Sequence, residues 1–130
     1  MVDETMKQSI YNNIKDILGV PDESFKESLL VFINGALDIM TQAGAGRPVL
    51  LTTETTWNDF QDPEQVEGNK SFNLVRSYVW LRCKTMFDPP ANPSTLSRLK
   101  ELEDEYIWRV ELAYSPAPVP EEDNREGRRK

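Results

Sequence analysis

The sequence predicts an all-α domain, a small bundle of four main helices plus one short helical turn, followed by a disordered C-terminal tail. Three observations carry this. Apolar residues recur at three- and four-residue steps in four separate stretches. The one β-branched run, RPVLLTTET from Arg47 to Thr55, is too short for a helix and has no second strand to pair with. Proline, glycine and capping residues fall where the periodic stretches begin and end.

The helix expected at the centre runs from Phe72 to about Phe87 or Asp88. Phe72, Val75, Val79, Cys83 and Met86 form one stripe, and Leu74, Tyr78, Trp80 and Leu81 widen it, so other helices must surround this element. Pro89 disfavours helical geometry at Asp88, and Pro90 cannot continue a hydrogen-bonded turn.

Before it, Met6, Ile10, Ile14, Ile17 and Leu18 predict an amphipathic helix from about Thr5 to Leu18, ended by Gly19. Ser24 with Glu27 three residues later has capping-box spacing and opens a second helix. Phe25, Leu29, Phe32, Ile33, Ala36, Leu37 and Met40 carry that helix to about Gln42, where an Ala-Gly run breaks it. Gly44 and Gly46 lack the Gly-Lys-Ser/Thr ending of a phosphate loop. Thr56 caps a single turn, with Asp59 as its partner, and Trp57 and Phe60 on that turn are expected to anchor the loop. After the double proline, Asn92 caps a last helix with Pro93 at its first position. Leu96, Leu99, Leu102, Tyr106, Val110 and Ala113 are expected along its inner side, with Trp108 also in the core, as far as about Tyr114.

Residues 1–114 thus read as the folded body and 115–130 as the tail. The tail has three prolines and little apolar surface, too little to order itself. Its four acids and four bases cancel, so the whole net charge of -7 belongs to the body. An acidic body argues against gripping nucleic acid by charge neutralisation. With no histidine and only Cys83, a disulfide framework, a Cys/His zinc site and histidine acid–base chemistry are excluded within one chain. Neither enzymatic activity nor a cofactor or metal is expected. The N-terminus lacks a signal-peptide pattern and no apolar run could span a bilayer, so a cytosolic product without membrane contact is expected.

Few side chains invite a functional reading. Cys83 lies in an apolar pattern with no base to activate it and reads as a buried structural thiol. The run Glu101, Glu103, Asp104, Glu105 reads as a solvated, ion-paired face rather than a paired-carboxylate site. Arg76, Arg82 and Lys84 interrupt an apolar helix, and either snorkel to the bundle edge or mark a subunit contact.

The chain order carries a further signal. Paired N-terminal helices with an ILGV turn at Ile17 to Val20 precede FINGAL at Phe32 to Leu37 and a TW-x-DF turn at Thr56 to Phe60. A tyrosine-bearing helix then runs into FDPP at Phe87 to Pro90, and a proline-led helix ends in EYIWRVELAY, Glu105 to Tyr114. From Tyr11 to Tyr114 this resembles the head–tail connector, or head-completion adaptor, proteins of long-tailed bacteriophages. The resemblance implies a helical protomer that forms a ring, a dodecamer in the virion, beneath the portal protein at the head–tail junction. It would be made and assembled in the host cytoplasm. Such a ring extends the DNA channel without binding DNA specifically and receives a stopper or tail-completion protein.

Under that resemblance, Arg76, Arg82, Glu101, Asp104 and Glu105 are expected at the contact between neighbours. Pro116, Pro118, Val119, Pro120, Arg128 and Arg129 are expected where the tail meets the portal. The other class the composition admits is a small acidic helical binding or regulatory module, a DNA mimic included, because a helix bundle does not by itself define a function.

Overall fold

A computed structural model describes residues 4–20, 23–61 and 72–114. The described chain is all-α. A 3-10 turn at Glu4–Lys7 is followed by α1 (Ile10–Leu18), α2 (Lys26–Gln42), the single turn α3 (Trp57–Phe60), α4 (Phe72–Phe87) and α5 (Pro93–Tyr114). The expected exposed loop between Gln61 and the central helix and the C-terminal tail lie outside the described residues.

The central position of α4 follows from its two buried stripes. At about 100° per residue, Phe72, Val75, Val79 and Cys83 share one side, and Tyr78, Leu81 and Thr85 share another. The first stripe joins the core made by Ile10 and Ile14 of α1, Leu29, Ile33, Leu37 and Met40 of α2, and the fully buried Trp57 and Phe60. The second faces α5. Accordingly α4 packs most extensively against α2 and α5, and also meets α1. Each fully buried large apolar side chain contributes about 1.5–3 kcal/mol. Met86, expected on the first stripe, is instead 44% exposed in the last turn of α4.

The first helix differs from the continuous one expected from Thr5. Ser9 breaks it by adopting extended geometry (φ -60°, ψ 131°), and its Oγ accepts from the Asn12 N–H at 3.2 Å as the α1 cap. The break has a partner: Ser9 forms an isolated antiparallel bridge with Thr56, the Ile10 N–H donates to the Thr55 carbonyl at 2.8 Å, and the Trp57 N–H donates to the Gln8 carbonyl at 3.2 Å. These tertiary bonds outweigh the helical pattern, while Met6 stays buried. Gly19 closes α1 in the left-handed region (φ 76°).

The expected Ser24–Glu27 capping box does not open α2. The helix starts at Lys26, with Phe25 at the cap position and no side-chain cap bond. Phe25, expected on the apolar face, is half exposed and sets its ring edge-on to Phe87 at 5.1 Å. Glu23 fixes the preceding turn instead, accepting from Lys15 Nζ at 2.8 Å and the Tyr11 hydroxyl at 3.4 Å. Its carboxyl is held below the ordinary range, first by the Lys15 hydrogen bond.

Residues 47–55 form a connection without a strand, turned at Thr53–Glu54. It is tied at its ends by the Arg47 N–H donating to the Phe60 carbonyl and the Ile10 N–H donating to the Thr55 carbonyl, each at 2.8 Å, and α3 follows with a complete capping box. The Thr56 hydroxyl accepts from the Asp59 N–H, and the Asp59 carboxylate accepts from the Thr56 N–H at 2.9 Å. Gly46 (φ 70°) makes the approach possible, since a Cβ there would lie 2.5 Å from the Phe60 ring.

Asn92 caps α5 as its sequence predicts, its Oδ1 accepting from the Ser94 N–H at 2.8 Å and the Thr95 N–H at 3.3 Å. The inner face of α5 is rotated from the expected one. Leu96, Leu99, Glu103, Tyr106, Ile107, Val110 and Tyr114 face inward, whereas Leu102 and Ala113 are exposed. Three-residue steps alone drift by about 60° each, so Leu102 has left the face that Leu96 began, and a four-residue step to 103 restores it. Trp108, expected in the core, is 57% exposed.

Candidate functional site

Asn13 lies where four segments meet, a polar residue that the apolar periodicity of the sequence passes over. Its Oδ1 accepts from Trp57 Nε1 at 3.1 Å and from Arg76 Nε at 2.8 Å, and its Nδ2 donates to Gln8 Oε1 at 3.1 Å. One buried amide therefore joins α1, α3, α4 and the segment before α1. Trp57 is held further by an edge-on contact with Phe72 at 5.4 Å. Arg76, one of the expected interface cations, is half-buried and directs its Nε inward to this network.

Arg82 lies between the two buried stripes of α4, and its Nη1 reaches Glu103 Oε1 on α5 at 3.3 Å. Glu103 is 6% exposed, which corrects the reading of the whole acidic run as a solvated face. Its Oε2 has no hydrogen-bond partner among the described residues. Burial and the neighbouring Glu103 charge push the Tyr78 hydroxyl up to about 12. The rest of the run is exposed: Glu101, Asp104 and Glu105 lie on the outside of α5, and Glu105 pairs with Arg109 at 2.8 Å.

Trp57 and Phe60 are fully buried within the core. The tail residues Pro116, Pro118, Val119, Pro120, Arg128 and Arg129 lie outside the described residues. Cys83 is buried, and burial pushes its thiol up to about 12, so it is a poor nucleophile.

Two surfaces distinguish the exterior. Val31, Phe32, Gly35, Ala36 and Ile39 of α2, with Arg82 and Met86 of α4, line a groove of about 250 Å³. Val31 is 66% exposed on its rim, and Leu50 beyond it is 91% exposed. On α5, Glu101, Glu105, Trp108 and Leu112 follow one another at four-, three- and four-residue steps, a single outward line opposite Val110. Trp108 and Leu112 on this line are each more than half exposed. Such surfaces suit association rather than chemistry. Among the described residues no helix is long and apolar enough to cross a membrane, and no three His, Cys, Asp or Glu side chains gather as metal ligands.

A family model described as phage connector protein matches residues 10–117, which takes in all of α1 to α5. No curated protein and no solved structure is significantly similar to the chain. The match covers every α-helix of the described residues, from the Ser9-capped α1 to the Asn92-capped α5, and on it the chain belongs to the phage connector protein family.

Proposed function

We propose that this connector assembles as a homo-oligomeric ring, a dodecamer in the virion, beneath the portal at the head–tail junction. The ring extends the DNA channel and offers its far side to the stopper or tail-completion protein. The family match over the folded body is the observation that carries the reading. The net charge of -7 supports it, because a passage that repels phosphates lets DNA slide.

Contacts between neighbours are assigned to Arg76, Arg82, Glu101, Asp104 and Glu105. In favour of this, Glu101 and Asp104 hold no ion pair among the described residues, and Arg82 commits one N–H to Glu103 while its other donors remain for a partner. Trp57 and Phe60 anchor the 47–61 connection that such a ring must keep rigid. The tail, with Pro116, Pro118, Val119, Pro120, Arg128 and Arg129, orders on the portal and meets its ordering entropy there.

A nonsense mutation early in the gene, complemented in a suppressor host, tests the function. The expected product is tailless heads together with free tails. Normally tailed, infectious particles without the protein would rule the function out.

A further inference from the structure

The two exterior surfaces match one another, and no single molecule can join its own pair. The outer line of α5 points away from α4, whereas the groove is formed by α4 and α2. Resting on the ring reading above, we propose that the Trp108–Leu112 face of α5 docks into the α2/α4 groove of the adjacent copy.

Each surface pairs an apolar anchor with a charge one helical turn away. In the groove, Met86 follows Arg82 by four residues; on α5, Trp108 follows Glu105 by three. The groove thus offers apolar walls with a cation at one end, and the α5 line offers an indole with carboxylates at one end. Docked in one sense, indole meets Val31 and Met86 while Glu105 or Glu101 approaches the uncommitted N–H groups of Arg82. The opposite sense would bring Glu101 onto the apolar walls, desolvated and without a cation, and would bury the Glu105–Arg109 pair against them. The groove volume of about 250 Å³ accommodates one large side chain. An exposed tryptophan seated in such a pocket, ringed by charge, is how a few residues come to dominate an interface.

The two surfaces are different, so each docking event leaves one groove and one α5 face open. This is a heterologous contact, which propagates and closes as a ring where the rotation permits. Reciprocal docking within one pair would instead close a two-fold dimer, and a double-variant ladder that stops at dimer would reveal it and overturn the ring contact.

Cysteine pairs in the full-length chain test the proposal. Cys83 is buried, with its thiol pushed up to about 12, and gives a quiet background. Val31→Cys and Leu112→Cys are made singly and together, assembled alone or on portal rings, and treated with a short bis-maleimide. The double variant is expected to give a ladder of dimers, trimers and higher species, and each single variant none. Trp108→Ala is expected to keep its helical circular dichroism while neighbour association weakens roughly ten-fold or more. Assembled rings that give no ladder, with Trp108→Ala assembling normally, would overturn this contact and leave the ring reading standing. Absence of any assembly by the unmodified chain, with portal present, would remove both.

Discussion

Trp57 Nε1 donates to Asn13 Oδ1 at 3.1 Å, 44 residues away, and the same oxygen takes the Nε–H of Arg76 at 2.8 Å. The α3 turn, too short to be stable alone, is thereby fastened to α1 and α4. Removing the acceptor would strand two donors, one of them on a fully buried indole. Asn13→Ala is expected to cost about 2–3 kcal/mol, read from the urea midpoint. Asn13→Asp, which keeps an acceptor for both donors, should cost less. Equal losses for the two variants would show that acceptance by Oδ1 is not what Asn13 provides and would point instead to its Nδ2 donor to Gln8.

Arg82 and Glu103 link α4 to α5 across a site that is dry on the glutamate side. Arg82→Met leaves a buried carboxylate without its cation and is expected to destabilise by about 3 kcal/mol. The double variant Arg82→Met, Glu103→Leu should recover most of that, because an apolar pair of similar volume replaces the ion pair. Additive losses in the denaturant cycle would contradict the pairing.

Two glycines make opposite predictions. Gly46→Ala must push a Cβ into the Phe60 ring at a positive φ, and is expected to lose about 2 kcal/mol or more. Gly35 sits within α2, and a Cβ added there would meet nothing within 4 Å, so Gly35→Ala should gain about 0.5–1 kcal/mol in protomer stability. The same methyl narrows the groove, so Gly35→Ala should weaken ring assembly. Thermal melts and sedimentation measure the two effects separately.

Cys83 sets a pH dependence whose sign follows from burial. Its thiol, ordinarily at 9.0, is pushed up to about 12 in the folded chain. The neutral form is favoured in the fold, so its contribution to stability is complete below pH 9 and is lost as pH rises from there toward 12. Maleimide labelling at pH 8 should be slow in the native protein and fast in urea. Rapid labelling of the native chain would place the thiol at the surface.

Helix order, the FDPP corner and both caps around Thr56 and Asn92 were legible because each depends on residues within one turn. The break at Ser9 was not, since its cause lies at Thr55, Thr56 and Trp57, far along the chain. Asn13 and Glu103 could have been suspected: each is a polar residue on an inward face, Asn13 three positions after Ile10 and beside Ile14, Glu103 four positions after Leu99 and seven before Val110. A polar residue on such a face requires a buried partner. Its partner is set by tertiary geometry, which periodicity does not encode. Trp108 misled for the opposite reason, as its size suggested the core while its position, opposite Val110, put it outside.

Mass measurement of the purified full-length chain by light scattering, across concentration and with portal rings from the same phage, tests the connector function most directly. The expected result is a large closed oligomer, or a monomer that joins portal rings at near-saturating stoichiometry. A monomer or dimer that ignores the portal at every concentration would contradict it.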